Sequence, residues 1–218
     1  MGEMFSMLSV QYTALFSIIN PLGSAFVFFA ITRALPLADR KRLAGRVGLY
    51  TWVTMLVALF GGLYLLRFFG ITLPVLRVAG GIIVALTAWQ VLTTSDDPME
   101  STLPQLAKGR TAAHLAFYPL TMPLTIGPGS ISVAITLAAD APSRLPERLT
   151  AAAISALAVT LISVTTYFCY RYADRLTRLL GATGTSIIVR VSGFLLFCIG
   201  IQIFWLGARE LLRSITQS

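Results

Sequence analysis

Two membrane-length apolar segments of this chain are each interrupted by a proline-glycine break. The first break is Asn20-Pro21-Leu22-Gly23-Ser24 and the second is Gly127-Pro128-Gly129-Ser130. A helix broken in lipid frees backbone N–H and C=O groups that hydrocarbon cannot satisfy, so such breaks belong in a protein interior or beside a wet cavity. Occurring at corresponding places in two halves of a chain, they point to the binding site of a transporter. The competing reading is that the prolines only kink packed helices, which membrane proteins tolerate. The recurrence of the break favours a site.

Composition agrees with a membrane chain. Hydrophobic residues make up 56% of the sequence and charged residues 12%, with a mean hydropathy of +0.79. Soluble domains carry about twice that charged fraction. The net charge of +8 would suit nucleic acid, but most basic residues flank apolar runs, as in loops that face anionic lipid. Bilayer is therefore the expected partner and nucleic acid is not. Glu3 is the sole charge before the first apolar run, so the amino terminus lacks the basic region of a signal peptide. Cys169 and Cys198 lie in apolar runs and read as small buried hydrophobes.

The expected fold is an all-α membrane domain with six spans. They cover about Phe5 to Thr32, Val47 to Leu66, Thr72 to Leu92, Ala113 to Leu137, Leu149 to Tyr170 and Ile187 to Leu206. Residues 1–92 form a first three-span repeat, 93–112 a polar cytoplasmic loop and 113–218 a second repeat. Ten basic residues follow spans one, three and five, against five on the other side (Arg67, Arg144, Arg148, Arg209 and Arg213). The positive-inside rule puts the ten in the cytoplasm and both termini outside. Span three opens Arg77-Val78-Ala79-Gly80 and span six Arg190-Val191-Ser192-Gly193. Each follows a glycine-containing turn, Gly70-Ile71-Thr72 and Gly184-Thr185-Ser186. Three spans per repeat is an odd number, so the second copy is expected to insert upside down, with both breaks near the midplane.

These strings, together with Pro119-Leu120-Thr121-Met122-Pro123, give the chain its resemblance to a known family. It resembles the MarC family of bacterial and archaeal integral membrane proteins, also called the neutral amino acid transporter family. The resemblance covers nearly the whole chain. It implies a six-span transporter of the bacterial inner membrane for small neutral amino acids such as glycine and alanine.

The residues at the breaks have a chemistry of their own. Asn20 is a favoured helix N-cap and Pro21 suits the first helical position; Gly127 and Pro128 repeat the arrangement. Each break would start a half-helix whose free amides and positive dipole end suit a carboxylate. The expected contacts are the amides near Gly23, Ser24, Gly129 and Ser130, with Asn20 and Thr125 adding neutral side chains. Carbonyls near Thr121, Met122 and Ile126 would receive the ammonium or a cation. A bulky residue at Gly129 is expected to block this approach without disturbing insertion.

Outside the breaks, Arg77 and Arg190 are candidates for a structural or gating role, and Gly80 and Gly193 for close helix packing. His114, the one histidine, reads as an interfacial polar residue. All nine carboxylates fall in loops or at span edges, which argues against an intramembrane carboxylate relay. No resident cofactor or metal is expected. A coupling ion, sodium or proton, is left open, as are a homo-oligomeric state and uncoupled flux. No nucleophile–base pair or zinc-type motif appears, so an enzyme is not expected. A channel or exporter for another small polar solute, or a scaffold without transport, remains the alternative.

Overall fold

The computed structural model describes residues 2–33, 35–93, 115–142 and 144–216. The long polar loop and His114 lie outside the described residues. What is described is helical, as the long apolar runs require. The chain runs α1 (Gly2–Ile19), α2 (Pro21–Thr32), α3 (Leu37–Phe68), α4 (Leu73–Thr93) and a widely wound segment, Ala116–Thr125. It continues through α5 (Pro128–Ala139), α6 (Leu145–Arg171) and α7 (Ala173–Thr216). Five stretches are long and apolar enough to cross a membrane, and the pair Ala116–Thr125 plus Pro128–Ala139 makes up to six if it counts as one bent span.

Several helices overrun their expected ends. α3 begins ten residues before Val47, carrying Arg40, Lys41, Arg42 and Arg46 on a helical extension. α6 starts at Leu145 rather than Leu149, and the last span runs Thr183–Ser214. Only the apolar middle of each helix stands out in the sequence, while the helix itself continues into the charged flanks. The turn before the last span also lies earlier than expected. Gly181, not Gly184, takes the left-handed conformation, at φ 67°, matching Gly70 at φ 67° before α4.

The bundle pairs its helices across the two halves of the chain. α3 packs on α6, and α4 packs along α7 in the most extensive contact of the molecule. The broken segments sit between these pairs: α1 and α2 contact α6, while α5 and the wide segment contact α3. Exchanging the halves thus exchanges the contacts.

The α4–α7 contact is built from glycines. A methyl group at Gly81 would come within 2.4 Å of the Phe204 amide, and one at Gly200 within 2.5 Å of the Ala85 amide. At Gly207 it would meet the Pro74 carbonyl at 2.6 Å. Removing side chains lets the two backbones approach, the usual means of helix association in lipid.

Two buried apolar clusters share the interior. One gathers Leu15, Ile18, Ile19, Met55, Ile126 and Ile162; the other gathers Ala25, Phe28, Val47, Leu120 and Tyr170. Between Val47 and Met55 on one face of α3 lies Thr51, and between Ile162 and Tyr170 on α6 lies Thr166, both 0% exposed. The chain crosses from one cluster to the other at Asn20-Pro21 and again between Leu120 and Ile126. The breaks therefore lie on a polar seam between two apolar bodies.

Candidate functional site at the two breaks

The first break is a tight local cap. Asn20 adopts the left-handed conformation (φ 48°, ψ 59°), one of the few non-glycine residues for which this costs little. Its Oδ1 accepts from the Gly23 amide at 3.2 Å, and its carbonyl accepts from the Ser24 amide at 2.9 Å. Ser24 donates its hydroxyl to the Ile19 carbonyl at 3.2 Å. Pro21 is buried as the first residue of α2. The break is mild enough for α1 and α2 to run as one membrane-length stretch, Gly2–Thr32.

The second break is sharper. The wide segment and α5 meet at 69°. Tyr118 and Met122, each preceding a proline, leave helical geometry, as a following proline requires. Threonines answer for the carbonyls so exposed. Thr121 donates to the Ala116 carbonyl and Thr125 to the Leu120 carbonyl, both at 2.7 Å, and the Ile126 amide takes the Thr121 carbonyl at 2.9 Å. Gly127 caps α5 through its backbone, its carbonyl accepting from Ser130 at 3.1 Å and Ile131 at 3.3 Å.

Three of the four amides expected to meet a carboxylate, those of Gly23, Ser24 and Ser130, are thus bonded within the chain. Helix geometry leaves the amide after each proline, Leu22 in α2 and Gly129 in α5, without an intrahelical acceptor. The two glycines also serve packing. The space beside Gly23 holds the Asn20 carboxamide, with Nδ2 2.5 Å from where a methyl group would stand. At Gly129 that methyl group would lie 1.9 Å from Val84 Cγ2 on α4 and 3.4 Å from Ile18. Gly129→Leu is consequently a packing lesion. A loss of transport in that variant would therefore not by itself place the site there.

One residue with no motif around it joins the breaks. Tyr170, 2% exposed near the end of α6, stacks on Phe28 at 4.6 Å between ring centroids. Its hydroxyl lies 2.8 Å from Thr125 Oγ1. A residue of each broken span thus reaches the same phenol. Nearby on the seam, Thr166 bonds back to the Ile162 carbonyl at 2.9 Å, whereas Thr51 Oγ1 is buried without a partner among the described residues.

Two grooves open elsewhere. One of about 160 Å³ lies between Tyr64, Arg67, Leu137 and Arg148, and one of about 290 Å³ between Gly48, Trp52, Thr160 and Tyr167. Neither includes a break residue.

The two arginines part company. Arg77, 13% exposed at its side chain, binds Glu210 at the end of α7 and Asp140 at the end of α5, the latter at 3.3 Å. Arg190 is exposed. At the far end of α3, Arg40 pairs with Asp174 at 3.4 Å, and Arg178 pairs with the same carboxylate. Gly80 and Gly193 do pack closely: a methyl group would meet Ser132 Cβ at 2.8 Å and Val91 Cγ1 at 3.1 Å respectively. Cys198 is exposed on the apolar outer surface, contrary to its expected burial, while Cys169 is half-buried. Among the described residues no three His, Cys, Asp or Glu side chains could hold a metal ion together.

Membrane-length helices, a polar seam in an apolar interior and spans broken on that seam define an integral membrane protein of the multi-span type. Comparison with known proteins makes the assignment specific: the chain belongs to the MarC family of integral membrane proteins, whose family model matches residues 5–212. It is 30% identical over 222 residues to the inner membrane protein MarC of Salmonella typhimurium (strain LT2), covering 98% of this chain and 99% of that one. It is likewise 30% identical over 220 residues to the inner membrane protein MarC of Escherichia coli (strain ATCC 8739), at the same coverage. No solved structure matches the chain. It is an inner membrane protein, and its family is not an enzyme family.

Proposed function

We propose that this protein transports small neutral amino acids of the glycine and alanine type, with the substrate carboxylate held where the two half-helices begin. The observation that carries the reading is the convergence of both breaks on one polar seam, linked through Tyr170, inside an otherwise apolar bundle. Two helix N-termini offer an anion amides and positive dipole ends without a fixed positive side chain. A net-neutral zwitterion suits such a place.

The amides of Leu22 and Gly129 make the first contacts. Asn20 Oδ1 occupies the Gly23 amide as a stand-in for a carboxylate oxygen and swings away when substrate arrives. The bundle works as an inverted repeat with both termini outside, a reading supported by the exchange of contacts between halves and by the distribution of basic residues. Channel-type flux, export and a non-transporting role are the competing outcomes.

The test is uptake and counterflow in proteoliposomes with labelled glycine, alanine, serine and threonine, with sodium or proton gradients imposed. Saturable uptake with accelerated exchange supports a carrier, and its response to either gradient identifies the coupling ion. Linear flux without exchange makes the protein a pore, and no flux of any of the four sinks the reading.

A further inference from the structure

α5 and α6 follow one another in the chain yet scarcely touch; each packs on α3 instead. The groove of about 160 Å³ lies in the gap they leave. Its deepest lining residues are Leu59 and Ser155, both 2% exposed, and its walls are Phe60, Leu63, Leu137 and Ala152. Its mouth holds Arg67, in the last turn of α3, and Arg148, in the first turn of α6. Arg67 stands about 12 Å along the helix from Leu59, so a charged mouth sits over an apolar trough. Tyr64, exposed beside the mouth, is the kind of side chain found at headgroup level.

Neither arginine makes an ion pair among the described residues. The acids nearest to them in the chain are engaged elsewhere, Asp140 with Arg77 and Glu147 with Arg144, and no Asp or Glu lines the groove. Two uncompensated guanidinium groups suit an anion, a phosphate above all. A small zwitterion fits only half of this place, because its ammonium would stand beside two positive charges over apolar walls. An amphiphile with one anionic end fits both halves. We infer that the groove binds an anionic phospholipid, its phosphate between Arg67 and Arg148 and one acyl chain in the trough. The volume equals roughly five waters, so part of one chain enters and the rest stays in the bilayer. The lipid fills the gap beside α5, the half-helix of the second break, whether or not the bundle carries amino acids.

The experiment titrates delipidated full-length protein in detergent with phosphatidylglycerol or with phosphatidylcholine of the same chains, and counts retained lipid by native mass spectrometry. One phosphatidylglycerol should be retained in preference to phosphatidylcholine, whose choline cation the arginines repel. Arg67→Gln and Arg148→Gln should each weaken phosphatidylglycerol about fivefold, and together about 25-fold. Ala152→Phe keeps both charges and should weaken it by filling the trough. Arg209→Gln, at an exposed position near the end of α7 and outside the groove, should change nothing. Thermal unfolding without lipid shows which variants are folded, and each single arginine variant reads the site if the double one fails. Equal retention of the two lipids overturns the inference, as does full retention by Ala152→Phe. A loss in Arg209→Gln that matches Arg67→Gln also overturns it, by showing diffuse surface charge. Displacement of the lipid by equimolar inorganic phosphate or glycine overturns it as well, and makes the groove a site for small solutes.

Discussion

At the residue scale, the breaks are held by side chains that satisfy their own backbone. Asn20 combines two tasks, a left-handed backbone and a cap on Gly23. Alanine there would lose the cap and strain the backbone, costing about 1–3 kcal/mol together. Glycine loses only the cap and should cost a few tenths. Thermal unfolding of Asn20→Ala beside Asn20→Gly checks this, and equal losses would mean that the left-handed turn is unimportant. Gly129 makes a second case, because Val84 fills its side. Gly129→Ala should destabilise by about 1–3 kcal/mol through overpacking. Shortening the opposing residue in Val84→Ala should recover much of that loss, so the double variant should be clearly non-additive. Additive losses would place the strain elsewhere. Tyr170 could not have been singled out from the sequence. Its importance comes from meeting Thr125, 45 positions away, and Phe28, neither of which lies near it in the chain.

At the scale of elements, the membrane spans were legible because apolar length is written directly into the sequence. Their ends were not. The amphipathic start of α3 belongs to the helix by its backbone and to the headgroup region by its arginines, and an apolar run reveals only the first affiliation in part. The turn before the last span was displaced for a similar reason: a glycine in sequence shows permission for a turn, and Gly181 and Gly184 both grant it. One signal for helix pairing is written in the sequence itself. Gly193, Gly200 and Gly207 recur every seven residues, a spacing that keeps one helix face toward a partner, and all three are buried on a span whose other residues are half-buried or exposed. Gly200→Leu should therefore force α7 off α4, a backbone-level overpacking of about 3 kcal/mol or more. Loss of the monodisperse folded protein on size exclusion, with a milder effect for Gly200→Ala, is the expected result. A fully stable leucine variant would show that the contact is dispensable.

At the scale of the whole molecule, ionic contacts tie the two halves of the chain at both ends. Arg77 on α4 reaches α5 and α7, while Arg40 on α3 reaches Asp174 on α7. A buried pair broken on one side costs about 3–5 kcal/mol, but Asp140 and Glu210 are 64% and 41% exposed at their side chains. Arg77→Gln should accordingly cost nearer 1 kcal/mol in unfolding measurements. Movement of the halves against each other can be tested with cysteines placed at 77 and 210, or at 40 and 174, with Cys169 and Cys198 first replaced by serine. Cross-linking either pair should stop counterflow, and reduction should restore it. Transport that continues with both ends fixed would rule out relative motion of the halves.

The glycine contact between α4 and α7 also sets an order of events during synthesis. Gly81 and Phe204 are separated by about 120 residues, and a ribosome adding 5–20 residues per second needs roughly 6–24 s to make the second after the first. Throughout that interval α4 waits in the bilayer with its narrow face uncovered, free to meet another nascent chain or a lipid instead of the helix it packs on. A helix made long after α4 is thus the one that covers it. A slow codon run or an early stop near the carboxyl end would harm assembly far more than the small share of α7 that is buried would suggest.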